Sequence, residues 1–192
     1  DHLLQNKVCP LQGKLTLAFM NVAAYHSFDP DNPSASRFVD EDFNRLWTKE
    51  ELEGKRDSVE LRRAREVHPI VETVDLLLDI HSMQTNTLPL IVAGPLQKGR
   101  EFAKQFGIPE MVLTDSGHKA GQRMRDYEGF SDPNTTRNAL LIECGQHWEV
   151  SSSELAITAA WRFLSMLGVI SEQTTVPHLR VQPPDQQQFV EV

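Results

Sequence analysis

Along this chain, apolar and polar positions fall into two alternating patterns. KLTLAFMNV (14–22), LLLDI (76–80), LPLIVAG (88–94), MVLTD (111–115) and ALLIECG (139–145) are short, mostly apolar runs and read as strands. Between them lie stretches with helical signals. Val67, Val71 and Val74 keep a helical spacing, with Pro69 placed to kink it. LQKGREFAKQF reads as a helix closed by Gly107. Thr48 with Glu51, and Ser151 with Glu154, fit N-terminal capping boxes, and Ser58 can start another helix. Strands that are apolar throughout, alternating with helices, predict an α/β fold with a mostly parallel central sheet flanked by helices. Two long polar stretches, residues 23–47 and 116–137, show no clear period and read as loops. Loops of that length inside a domain are often functional.

Composition narrows the picture. With 40% apolar residues in 192, the chain can build one sizeable core. The expected division is a catalytic α/β domain over residues 1–175. Residues 176–192 then form a tail or the start of a β-rich C-terminal domain. A formal net charge of −8 argues against nucleic-acid binding. No apolar run approaches the roughly 18 residues of a membrane span, and the start carries no signal-peptide pattern. Cys9 and Cys144 make no disulfide framework and read as free thiols of a reducing compartment, so a cytoplasmic protein is expected.

Ligands of open α/β sheets sit outside the carboxyl ends of the strands, and chemistry-bearing residues cluster there in this sequence. The run DLLLDIHS ends in His81, which reads either as a zinc ligand or as a hydrogen-bonded histidine at a strand end. Asp79, two residues earlier on the same strand face, is a candidate partner for its ring. LLIECGQH carries Glu143 at a strand end, where partial burial suits a general base and an ion pair is the alternative. Cys144 reads as a buried spectator thiol. In SRFVDEDFNRLW, Arg37 and Arg45 flank Asp40, Glu41 and Asp42, and Asn44 adds an amide. Such a loop either anchors an acidic substrate through guanidinium forks or is held by its own salt bridges. Tyr127 and Arg137 read as solvated loop residues, with substrate contact as the alternative.

Taken in order, Asn-x-x-Ala, Arg-x-x-Asp-x-Asp-Phe-Asn-Arg, Asp-Ile-His-Ser and Ile-Glu-Cys-Gly resemble the succinylglutamate desuccinylase and aspartoacylase family, of the zinc carboxypeptidase-like fold, over roughly residues 8–168. The resemblance implies zinc as cofactor and His81 as one of its ligands. It also implies Glu143 as the catalytic carboxylate, Asn44 and Arg45 as the grip on the substrate carboxylate, and Arg37 as a further substrate-binding arginine. The implied reaction is hydrolysis of the amide of a small acidic N-acyl amino acid. The family's other two zinc ligands come from a His-Gly-x-Glu motif that this sequence lacks, so the expectation is a fragment of a longer protein. Two alternatives stay open: a metal-free carboxylate-binding domain of the same fold, and a zinc carboxypeptidase.

Overall fold

The computed structural model describes residues 2–192. Strands β1 (Leu76–Met83), β2 (Leu90–Val92), β3 (Met111–Thr114), β4 (Asn138–Gln146) and β5 (Gln188–Glu191) form one sheet in the order β1-β4-β2-β3-β5. β2 runs antiparallel to β4, while β3 is parallel to β2 and β5 parallel to β3. β1 and β4 run the same way. The Asn138 amide donates to Asp75 O before the strands, and the His147 amide donates to Met83 O at their far ends. The mostly parallel sheet expected from the apolar runs therefore carries one antiparallel junction, at β2–β4.

Two compact units partition the chain by contacts. One holds Asp1–Thr16, Leu78–Asp115 and Leu140–Val192; the other holds Leu17–Leu77 and Ser116–Ala139. In the first, helices α5 (Gln97–Phe106) and α6 (Val150–Met166) pack on one face of the sheet. Phe102, Ala103 and Phe106 of α5 and Leu155, Ala159 and Phe163 of α6 meet Ile91, Val112, Leu140, Ile142 and Cys144. The spacings of three and four on the helices and of two on the strands are what put these residues on one side. Gly107 ends α5 in the left-handed conformation, as its position in the sequence predicts. The other side of α6 presents Trp161 and Leu164 to a smaller cluster with Ile170, Leu3, Val8 and Leu15. Helix α1 (His2–Gln5) belongs to that cluster, and Trp161 Nε1 donates to His2 Nδ1 at 2.9 Å.

In the second unit, α4 (Val59–Val71) turns Ala64, Val67 and Val71 toward Phe43, Trp47, Leu52, Met124, Tyr127 and Phe130. Two short helices, α2 (Val22–His26) and α3 (Lys49–Glu53), flank the loop between them. Thr48 and Ser58 cap α3 and α4 as expected, accepting from the Glu51 and Leu61 amides.

Two expectations change, at KLTLAFMNV and Ser151, and the structure adds detail at two further places. KLTLAFMNV forms no strand; Leu17 and Phe19 are exposed, and β-propensity without a partner strand does not make one. Ser151 does not cap α6, which starts one residue earlier, after Glu149. Pro69 lies inside α4, two residues from its end. Residues 176–192 are built into the sheet through β5, after the short helix α7 (Glu172–Thr175) and a 3-10 turn at Val176–His178.

Candidate active site

In the sheet-bearing unit, strand alternation places the candidates. Leu78, Leu140, Ile142 and Cys144 face α5 and α6, so Asp79, His81, Leu141 and Glu143 face the other way. The bonds from the Asn138 amide to Asp75 O and from the His147 amide to Met83 O bracket the pairing of β1 with β4 and span one residue more on β4 than on β1, which brings His81 beside the Glu143–Cys144 stretch of the neighbouring strand. Neighbouring strands lie about 4.8 Å apart, so both residues occupy one small patch near the C-terminal ends of adjacent strands. Glu143 also stands in register with Leu90 across the antiparallel junction.

The His81 ring is held by its own strand. Asp79 is buried, and its Oδ1 lies 2.9 Å from His81 Nε2. With Nε2–H donating to this carboxylate, the neutral ring carries its lone pair on Nδ1. Beside Glu143, burial first and the Glu143 charge second push the Cys144 thiol up to about 12. It stays protonated at neutral pH and is no nucleophile. A pair that sequence reading missed lies nearby: Ser82 Oγ is 2.7 Å from His147 Nδ1. Sixty-five residues separate them, and no local spacing marks the contact.

The arginine loop belongs to the other unit. Arg37 Nη2 donates to Asp42 Oδ2 at 2.7 Å, and Arg45 Nη2 lies 3.9 Å from the same oxygen. Asp42 Oδ1 accepts from the Asn44 amide and so caps the 3-10 turn Phe43–Arg45. Burial opposes ionisation of Asp42. The Arg37 hydrogen bond, the Asn44 amide and the two guanidinium charges outweigh it and hold the carboxyl below its ordinary value. The Asn44 side chain accepts from the Met124 amide at 3.1 Å, and Arg45 Nη1 donates to Asn44 O at 2.6 Å. Gly121 makes this packing possible. A Cβ there would sit 2.4 Å from Arg45 O, and its φ of +142° disfavours any side chain. Arg37, Asn44 and Arg45 thus form one hydrogen-bonded group around Asp42.

The two outlying candidates are structural. Tyr127 is 2% exposed, edge-on to Trp47 and His68, with its hydroxyl 2.6 Å from His68 Nε2. Burial first, then the charges of Glu128, Glu72 and Glu53, raise it to about 12. Arg137 donates to Val74 O and Val71 O at the end of α4 and lies over the Phe130 ring at 4.5 Å. Neither is a solvated loop residue: Tyr127 belongs to the second core, and Arg137 is half-buried against the Phe130 ring. Sequence reading also passed over Glu60, buried at 0% exposure in the first turn of α4, and the buried group of Arg123, Arg125 and Asp126.

Among the described residues, no three His, Cys, Asp or Glu side chains come together as a metal-binding group. A catalytic zinc takes three protein ligands. The side chains described therefore do not by themselves fit it, and His81 is a single candidate donor. No helix among the described residues is long and apolar enough to cross a membrane.

Comparison with known proteins places this geometry. No curated protein sequence matches the chain. Among solved structures, a succinylglutamate desuccinylase/aspartoacylase from Rhodobacter sphaeroides superposes with a TM-score of 0.61 at 15% identity, covering 90% of this chain and 50% of that one. The succinylglutamate desuccinylase from Chromobacterium violaceum gives 0.57 at 17% identity, covering 98% and 60%. The product-bound ectoine utilization protein EutE (DoeB) from Ruegeria pomeroyi gives 0.56 at 15%, covering 90% and 49%. At such identities the likeness is one of fold, and this chain spans about half to three fifths of each of these proteins. The succinylglutamate desuccinylase/aspartoacylase catalytic domain model matches residues 4–167, most of the chain. On that match, the chain belongs to the succinylglutamate desuccinylase/aspartoacylase family.

Proposed function

We propose that the protein containing this chain hydrolyses the amide bond of a small acidic N-acyl amino acid. Family membership supports the reaction class. What supports the assignment to residues is that Glu143 and His81 lie on the same face of the adjacent strands β4 and β1, with Asp79 Oδ1 2.9 Å from the His81 ring. Glu143 is assigned the proton transfers. It takes a proton from the attacking water as the C–O bond forms, and passes it to the amine nitrogen as the C–N bond breaks. One water is consumed, and the carboxylic acid formed gives its proton to the amine, leaving a carboxylate and an ammonium. Arg45, Asn44 and Arg37 are assigned the substrate's carboxylate, which suits a guanidinium fork beside an amide. Zinc, which the resemblance implies, would take His81 as one donor. The described residues do not complete its ligand set, and no step here is routed through it.

The test uses the longest natural chain that contains this sequence. It is incubated with N-succinyl-L-glutamate and a series of N-acetyl-L-amino acids, with and without added zinc, and amine release is followed. Turnover is expected with at least one acidic member. Glu143→Gln is expected to lower kcat by about 10²–10⁴-fold, the usual share of a general acid–base group. Arg45→Ala is expected to raise KM. No amine release from any member in either condition would overturn the reading.

A further inference from the structure

Glu60 is a buried carboxylate with no part in the chemistry assigned above. Its Oε1 accepts from the Val39 amide at 2.7 Å and from Asn21 Nδ2 at 3.2 Å. Its Oε2 accepts from the Asp40 and Glu41 amides at 3.0 and 3.3 Å. Three consecutive backbone N–H groups thus point at one side chain, in the manner of a backbone nest around an anion. The lock is reciprocal: Asp40 Oδ2 accepts from the Val59 amide, one residue before Glu60. Burial penalises the Glu60 charge, and the three amides with Asn21 outweigh that penalty, holding its carboxyl below the ordinary value.

The residues so gripped, 39–41, lie between Arg37 and Asp42, the partners of the 2.7 Å contact around which Arg45 is also arranged. We infer that Glu60 is a positioning residue for substrate binding: by gathering the amides of residues 39–41 it fixes the spacing between Arg37 and the Asp42–Arg45 turn, and so the carboxylate grip. The inference rests on the role proposed above for Arg37, Asn44 and Arg45. It adds that the specificity of the grip for a carboxylate is set from α4, by a side chain that never touches the substrate.

Glutamine is the discriminating replacement. It keeps the shape but has one acceptor oxygen. Its amide nitrogen must then face either Val39 N–H and Asn21 Nδ2, or the Asp40 and Glu41 amides, and donors would meet donors. The control is Ser58→Ala, which removes the cap of the same helix, and so costs stability, without touching residues 39–41.

Affinity for N-succinyl-L-glutamate by calorimetry, and kcat and KM for the same compound, are measured on the longest natural chain for wild type, Glu60→Gln and Ser58→Ala. Expected for Glu60→Gln is a loss of affinity and a rise in KM of about tenfold with kcat within about twofold, the signature of lost binding that does not act on the transition state alone. Ser58→Ala should leave both within about twofold. Unchanged affinity in Glu60→Gln would overturn the inference, and so would an equal loss in both variants, which marks general destabilisation. If wild type binds the compound but releases no amine from it or from any N-acetyl-L-amino acid of the series, the hydrolase reading fails and the affinity comparison still decides the role of Glu60. The affinity comparison is made in the same way with any N-acetyl-L-amino acid of the series that wild type does bind; if wild type binds no member of the series, there is no grip for Glu60 to position and both fall.

Discussion

His81 and Glu143 owe their positions to strand geometry. Each sits on a strand whose other face is buried under α5 and α6, so period-two alternation and the pairing of β1 with β4 bring them together. Arg37, Asn44 and Arg45 sit on a segment without such a ladder. They are placed by Asp42, by the Met124 amide, by the close approach of Gly121 and, through residues 39–41, by Glu60. The first arrangement is set by local backbone periodicity. The second depends on side chains that are far apart in sequence. The difference bears on robustness: a strand keeps its register when one side chain changes, whereas a loop tied by a few charged contacts does not.

The largest expected separation between the two regions comes from Trp47→Ala. Trp47 is fully buried between Phe43 and Tyr127, and its loss should cost about 3–5 kcal/mol as packing and cavity terms add. Hydrogen exchange is expected to speed up in the amides of α4 and residues 43–47 first. Equal loss of protection in β4 would break the comparison, since the sheet site would then depend on the same core as the loop.

What the sequence made legible follows the same line. β1, β3, β4 and α5 are recovered within a few residues because apolar runs and Gly107 carry the signal on the spot. His81 and Asp79 could be paired on paper because two residues along a strand always share a face. Glu60 could not. A glutamate in the first turn of a helix, after a serine cap, reads as an ordinary acidic N-terminal residue, and only the fold shows three amides from 19–21 residues upstream turned toward it. Tyr127 and Arg137 misled for the converse reason. The polar composition of residues 116–137 hides two 3-10 turns, Met124–Asp126 and Glu128–Phe130, that carry Met124, Tyr127 and Phe130 into a core. KLTLAFMNV misled because β-propensity says nothing about whether a partner strand is available.

A smaller effect is expected at the sheet. Asp79→Ala removes the carboxylate that accepts from His81 Nε2, and a hydrogen bond to a charged group contributes about 1.5–3 kcal/mol. The exposed part of the imidazole can turn to water, so the loss should fall at the lower end. The sharper readout is the tautomer. Long-range ¹⁵N–¹H spectra should show the Nε2–H form of His81 in wild type and a mixture in the variant. An unchanged tautomer would mean that something other than Asp79 orients the ring.

The smallest effect is acid loosening of the arginine loop, and its sign follows from two carboxylates. Glu60 and Asp42 are both held below their ordinary values of 4.5 and 3.8 in the folded chain. While pH stays above those values, both are ionised in the folded and unfolded states alike, and their full contribution to stability is present. As pH falls below them, the unfolded chain takes up protons that the folded loop refuses, and stability declines until the folded groups also protonate. Urea unfolding followed between pH 6 and pH 3 should therefore show the loop unit losing stability below about pH 4.5. Glu60→Gln, measured in parallel, should start lower and fall less steeply, because its share of the proton uptake is gone. Identical slopes would mean that Glu60 is not the ionised clamp. The loop would then hold its shape through Asp42 alone, which would bring it closer to the sheet edge, where one carboxylate orients one partner.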